Sequence, residues 1–481
     1  MAEKFCLFLL AFSLYLQFAS PHATTVFDVS ASIQRTLDVL SFDPNTLNSK
    51  DEEKLAQSSS SSAQYSVSVH PRSSLQKSQH RDYEELTRSR LQRDSARVKA
   101  IGARLELALN GVNRSAFRPV DEEKFRPEGL QSPLTSGVRL GSGEYFSRIG
   151  VGRPAKPYYM VIDTGSDINW LQCEPCSDCY QQSDPVFLPS QSSTYRSLSC
   201  KSPQCSALQI SACRVDSCLY QVSYGDGSFT VGEFATETLS FGNSGTANGV
   251  ALGCGHDNEG LFAAAAGLLG LGGGSLSLPS QIKASSFSYC LVDRDSSSSS
   301  TLEFNSPRPG DSITAPLLRN NRVRTYLYVG ITGISVGGRP LNIPESVFAV
   351  DASGRGGIIV DSGTAVTRLK TEAYNSLRDT FASLTRNLPS SSGFAIFDKC
   401  YDLSSMQKIA VPTVSFRFAG GGTLRLRPEN YLIPVDSSGK FCLAFAPTDG
   451  QLSIVGNIQQ QGTRVSYDLA HSLVGFSPNK C

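Results

Sequence analysis

The sequence predicts an all-β protein built as two similar lobes that face each other across a central cleft. Three observations lead there. Ser, Gly, Thr and Val are plentiful while Met (3) and Trp (1) are scarce, the usage of short strands separated by many turns. The stretch YYMVIDTGSDINWL sets Asp163 at the end of an apolar run, and GGIIVDSGTAVTRL repeats the arrangement around Asp361, 198 residues later. A second pair of apolar–apolar–Gly stretches trails them: GLLGLG (267–272) by about 100 residues and SIVGN (453–457) by about 90. An internal repeat of this length implies two lobes of one construction.

The chain opens on MAEKFCLFLLAFSLYLQFASPHA, with Lys4, an apolar run from Phe5 to Phe18, and small residues at Ala19 and Ala23. That is a secretory signal pattern over 1–23, and the run is too short to span a membrane comfortably. No later stretch approaches 18 apolar residues, so no membrane anchor is expected. The pattern implies the secretory pathway, with extracellular space or apoplast, vacuole and endoplasmic reticulum left open.

Residues 24–130 differ in texture from the remainder of the chain. They hold no Cys and a Ser tract, then a segment where Leu86, Leu91, Val98, Ile101, Leu105 and Leu107 recur at helical spacing. Between Arg72 and Arg104 there are nine Lys and Arg against four Asp and Glu. This is either a solvated helix face or a propeptide whose cations pair with an acidic cleft of the same chain. Asn113-Arg-Ser115 forms an N-glycosylation sequon.

From about residue 140 the texture becomes strands and hairpins, divided into a first lobe (140–315) and a second lobe (316–481). Helices are expected only around Leu278–Ala284 and Glu372–Leu384, the latter opened by Thr371. Residues 141–481 carry 26 Lys and Arg against 27 Asp and Glu. With 18% charged residues and a net charge of +1, the chain does not suit a nucleic-acid binder that relies on a basic surface.

Removing Cys6 with the signal leaves twelve cysteines: 173, 176, 179, 200, 205, 213, 218, 254, 290, 400, 442 and 481. An even number in a secreted chain implies disulfides. CEPCSDC (Cys173–Cys179) could suggest zinc, but no second CxxC or His pair comes after it at the spacing a zinc site uses. Two other motifs are set aside. GISVG around Ser335 fits a nucleophile elbow, but GGRPLNIP stands where an elbow needs a helix. GLGGGSLSLPSQ lacks the Lys of a phosphate cradle.

A carboxylate ending an apolar strand needs a reason, because an unpaired buried charge costs several kcal/mol. One Asp-Thr-Gly could be a turn that caps itself. Two in matching contexts suggest a pair of carboxylates sharing a proton.

On these residues the chain resembles the pepsin-like aspartic endopeptidases over about 140–481. Asp163-Thr-Gly-Ser, Asp361-Ser-Gly-Thr and SYGDGSF around Tyr224 carry the likeness, and the Cys-rich segment between Asp163 and Tyr224 is similar to the plant nepenthesin-type branch. The resemblance implies a bilobal pepsin-like fold and a secreted zymogen acting at acid pH without metal or organic cofactor. Its partners would be protein or peptide substrates and its own propeptide, and it would be a monomer. Asp163 and Asp361 would be the catalytic pair. Gly165 and Gly363 would let backbone N–H groups approach them, Ser166 and Thr364 would contact their outer oxygens, and Thr164 and Ser362 would brace the loops. Tyr224 and Gly225 match a mobile hairpin that closes over substrate, and Trp170 matches its supporting tryptophan, a role compatible with plain core packing. Cys400 would pair with Cys442, as in the wider family, and Cys290 with Cys481. The remaining eight would staple the first lobe in an undetermined pattern. A catalytically silent binding protein or inhibitor of the same fold is the alternative; intact tetrads and Tyr224 favour the enzyme.

Overall fold

The computed structural model describes residues 22–42, 64–75, 78, 80–110, 144–223, 228–260 and 265–481. Nearly all of the expected signal segment, Asn113, Tyr224, Gly225 and the expected boundaries near 130 and 140 lie outside the described residues.

The repeat read from the sequence is a repeat in space. In the first lobe the strand Lys156–Asp163 runs parallel to Gly267–Gly270, which sets Asp163 beside Gly270. In the second, Ile358–Val360 runs parallel to Ser453–Val455. Each aspartate's backbone is tied to the partner strand: Leu271 N donates to Asp163 O (2.8 Å), and Asp361 N donates to Val455 O (3.1 Å). Strands paired in parallel are covered on both faces, which is why VIDT and IIVDS read as unbroken apolar runs rather than as alternation.

An antiparallel sheet joins the lobes. Its order is Lys156–Asp163, Tyr145–Val151, Tyr65–Pro71, Ser300–Phe304, Ser286–Cys290, Thr463–Asp468, Leu473–Pro478 and Ile313–Leu318. One member, Tyr65–Pro71, comes from the N-terminal region. Another N-terminal strand, Thr24–Asp28, pairs with Lys408–Pro412 and leads into the helix Val29–Ser41, whose Ala31 N is capped by Asp28 Oδ1 at 2.9 Å. The described residues between 22 and 110 are therefore woven into both lobes, where the sequence suggested only partial helix.

The two expected helices are present as Leu278–Gln281 and Thr371–Leu384. The second buries Ala373, Tyr374, Leu377 and Phe381, one face at 3- and 4-residue spacing. GISVG lies in a hairpin, Ile331–Val336 pairing with Arg339–Pro340, so a strand and not a helix comes directly after Ser335. The basic segment forms the 28-residue helix Tyr83–Asn110. Its solvated-face reading is overturned: Arg90, Arg93, Asp94 and Arg97 are all buried.

Six disulfides link Cys173–Cys254, Cys176–Cys179, Cys200–Cys213, Cys205–Cys218, Cys290–Cys481 and Cys400–Cys442. So dense a framework fits an oxidising, secretory-pathway environment. Among the described residues no helix is long and apolar enough to cross a membrane.

Candidate active site

Asp163 and Asp361 are both 0% exposed, and each is held by its own loop in the same way. Gly165 N donates to Asp163 Oδ1 (2.9 Å) and the Ser166 hydroxyl to Oδ2 (2.7 Å). Gly363 N donates to Asp361 Oδ1 (3.2 Å) and the Thr364 hydroxyl to Oδ2 (2.5 Å). The loops then grip one another. Ser362 N donates to the Thr164 hydroxyl (3.0 Å) and Thr164 N to the Ser362 hydroxyl (3.2 Å). Those hydroxyls reach across to Val360 O and Ile162 O (3.3 and 3.2 Å). Swapping bonds between two loops fixes the two carboxylates relative to each other.

The site holds a third charged group. Arg97, from the helix Tyr83–Asn110, puts its guanidinium between the carboxylates. Nε donates to Asp361 Oδ2 and Nη2 to Asp361 Oδ1, both at 3.0 Å; Nη1 reaches Asp163 Oδ2 at 3.2 Å, and Nη2 also donates to Asp163 Oδ1. The glycines make this possible: a Cβ on Gly165 would lie 2.7 Å from Arg97 Nη2 and 2.9 Å from Asp361 Oδ1. Burial alone would push the Asp163 carboxyl up, but the charge and hydrogen bonds of Arg97 outweigh it and hold it below its ordinary value.

The helix is anchored along its length. Leu91 packs with Ala365, Val366 and Phe394, and Ile101 and Leu105 pack with Tyr326, Tyr328 and Ile359. Arg90 pairs with Asp295 (2.7 Å) and Arg93 with Glu144 (3.0 Å). Further on, Ile101 O accepts from the Tyr326 hydroxyl (3.1 Å), and Arg104 Nη2 donates to Ser223 O (3.1 Å), next to the undescribed Tyr224.

Trp170 is fully buried and packs with Phe146, Val161, Tyr220 and Phe234. Tyr220 lies on Ser217–Ser223, the strand that leads to residue 224, so Trp170 sits under the root of the expected hairpin. Cys176 and Cys179 bond to each other, and among the described residues no cluster of three His, Cys, Asp or Glu could hold a metal.

Several site residues were not singled out by the sequence. Asp167 is half-buried and receives Gly274 N (2.8 Å) and the Thr325 hydroxyl (2.6 Å), tying the first loop to the second lobe. Asn457 Nδ2 donates to Ser362 O (3.0 Å) and Gln460 Nε2 to Asp361 O (3.1 Å), supporting the second loop from below. The SIVGN repeat pointed to Asn457. Nothing in the local sequence marks Arg97 among its neighbouring cations, or Asp94 and Arg368.

Two lobes of one construction, each presenting a buried aspartate on an Asp-Thr/Ser-Gly-Ser/Thr loop, define the pepsin-like class of aspartic protease folds. The chain belongs to the plant aspartic protease family. It is 52% identical to "Aspartyl protease family protein 2" of Arabidopsis thaliana over 406 residues, 83% of this chain and 82% of that protein. It is 44% identical to "Protein ASPARTIC PROTEASE IN GUARD CELL 2" of the same plant, over 88% of this chain and 89% of that protein. It is 40% identical to "Aspartic proteinase nepenthesin-1" of Nepenthes gracilis, over 81% of this chain and 92% of that protein. Family models described as xylanase inhibitor N-terminal and C-terminal match residues 145–305 and 326–478. Solved structures share the fold at 20% identity: "Crystal structure of edgp" at TM-score 0.59, covering 71% of this chain and 92% of that one, and basic 7S globulin from soybean at 0.56, covering 69% and 92%.

Proposed function

We propose that this chain, an aspartic endopeptidase by family, hydrolyses internal peptide bonds with water activated between Asp163 and Asp361. It would be made as a monomeric zymogen whose N-terminal region fills the cleft. The observation that carries the reading is the matched bonding of the two buried carboxylates around a single guanidinium. Anything that replaces Arg97 there meets both carboxylates at once.

With Arg97 gone, two adjacent carboxylates would share one proton. The ionised partner takes a proton from a bound water as general base while the oxygen attacks the peptide carbonyl. The protonated partner donates to the carbonyl oxygen, and the resulting diol collapses as a proton passes to the leaving amine. The hydrogen bonds from Gly165, Ser166, Gly363 and Thr364 keep each carboxylate in place while its charge changes. Tyr224 and Gly225 would close over the substrate, with Trp170 supporting the root of that hairpin.

Acid is the natural trigger, because the helix is held by carboxylates that acid neutralises. The test is casein digestion between about pH 3 and 6 by the processed chain, with and without pepstatin. Acid-dependent cleavage blocked by pepstatin supports the reading; cleavage insensitive to pepstatin overturns it.

The description of the matching family models favours a second reading, a non-hydrolytic binding or inhibitor protein. It predicts no casein cleavage at any pH after the N-terminal region is removed.

A further inference from the structure

Three residues before Arg97, on the same face of the helix, Asp94 reaches the second lobe. Its Oδ1 accepts from Ala365 N (2.6 Å) and Val366 N (3.1 Å), and its Oδ2 accepts from Arg368 Nη2 (2.5 Å). Both side chains are buried at 1% and 5% exposure. Asp94 is the only acidic residue between Glu85 and Glu106, and among the described residues it is the one acid that pairs with Arg368. The Arg368 Nη1 is buried and lacks a hydrogen-bond partner there.

A basic helix has thus placed the one acid of its central stretch against Arg368 and two backbone N–H groups of the lobe, one helical turn from the dyad. The guanidinium cannot shed its proton. When the helix departs, a permanent cation and two amide donors face the cleft with no other acid among the described residues paired to them. Such an array accepts a carboxylate through charge-assisted hydrogen bonds.

We propose that Arg368, with the N–H groups of Ala365 and Val366, forms a carboxylate-binding subsite that gives the cleft a preference for an acidic substrate side chain. Asp94 occupies it in the precursor. The proposal rests on the reading that peptide bonds are cut at Asp163 and Asp361 once the helix has left. Asp94 lies about 4.5 Å from Arg97 along the helix axis, and an extended peptide advances about 3.3 Å per residue. The acidic residue therefore falls within about three residues of the scissile bond, on one side only.

The test uses the full chain after acid processing and a series of C-terminally amidated peptides, so that one side chain is the only carboxylate. A single Glu is moved through three positions on each side of the cleaved bond, and each peptide has a Gln counterpart. At one position the Glu peptide should show kcat/KM about tenfold above its Gln twin at pH 5.5. The ratio should shrink towards one at pH 3, where the substrate carboxyl is protonated. It should fall to about one in Arg368→Gln at pH 5.5 and be partly kept in Arg368→Lys. A ratio of two substrates on one enzyme does not depend on how much of the variant folds. Equal Glu/Gln ratios in wild type and Arg368→Gln at every position overturn the subsite while leaving the hydrolysis reading intact. If no peptide is cut, the hydrolysis reading fails by itself. The subsite is then decided by fluorescence anisotropy with the same peptides carrying a reduced central amide. A Glu preference lost in Arg368→Gln supports it, and equal affinities overturn it.

Discussion

Arg97 and Asp361 stand 264 residues apart in the chain, yet two hydrogen bonds of 3.0 Å join them inside the cleft. The same guanidinium bonds Asp163, so one cation pairs with both buried aspartates. Removing one partner of a buried ion pair strands the others, at about 3 kcal/mol or more. Arg97→Gln should therefore lower the melting temperature of the unprocessed chain at pH 7 and speed loss of its N-terminal region at pH 5. Calorimetry and a time course by mass spectrometry read the two effects; unchanged values in both would show that Arg97 contributes nothing to holding the helix.

The clamp should open with acid over a definite range. Burial would raise Glu144, but Arg93, Arg72 and Arg90 bring it down to about 2; Asp295, by the same balance with Arg90 and Arg294, is also held low. Depressed carboxyls contribute fully above their ordinary values and lose that contribution as pH falls through the depressed one. The hold should thus weaken between about pH 4.5 and 2. In Glu144→Gln the anchor is absent at every pH, so processing should be faster at pH 5 and less steeply dependent on acid. The slope of processing rate against pH checks this.

A second acid response belongs to His70, on the strand Tyr65–Pro71 that the N-terminal region lends to the joining sheet. It is buried edge-on to Tyr159, and neither ring nitrogen has a hydrogen-bond partner among the described residues. Burial, helped by the charge of Arg148, lowers it to about 4. A base depressed in the bound state favours release as pH falls from 6.5 towards 4, because the freed imidazole takes up a proton. His70→Phe keeps the ring and removes the titration. At pH 5 its N-terminal region should be released about tenfold more slowly than in wild type, with equal rates at pH 7. Identical pH profiles would contradict this.

The hydroxyls on the outer oxygens should matter unequally to rate and fold. Ser166→Ala and Thr364→Val each remove one hydrogen bond to a carboxylate (2.7 and 2.5 Å) and little volume. Each should lower kcat of the processed chain by about tenfold, with a smaller effect on KM. Steady-state kinetics with one peptide decides; an unchanged kcat would place these hydroxyls outside the chemistry.

The dyad was legible because each half is local. A strand, an aspartate, a glycine and a hydroxyl fall within a few residues, and duplication supplied the second copy. The helix Tyr83–Asn110 was legible for the same reason, through its apolar period. What it touches was not. Arg97 and Lys99 read alike, and only tertiary placement sends Arg97 to Asp163 and Asp361. The strand Tyr65–Pro71 was missed because both partners, Tyr145–Val151 and Ser300–Phe304, are remote in sequence. The Cys400–Cys442 pairing came with the family likeness, whereas the eight first-lobe cysteines allow about 105 connectivities and spacing does not choose among them.

The central claim is that Asp163 and Asp361 perform the chemistry together. The most direct measurement is kcat of Asp163→Asn and Asp361→Asn, each freed of its N-terminal region in trans by the wild-type enzyme. Peptide affinity by anisotropy serves as the control for folding. The account predicts a loss beyond about 1,000-fold in each variant with affinity kept. Activity within about tenfold of wild type in either variant would contradict it.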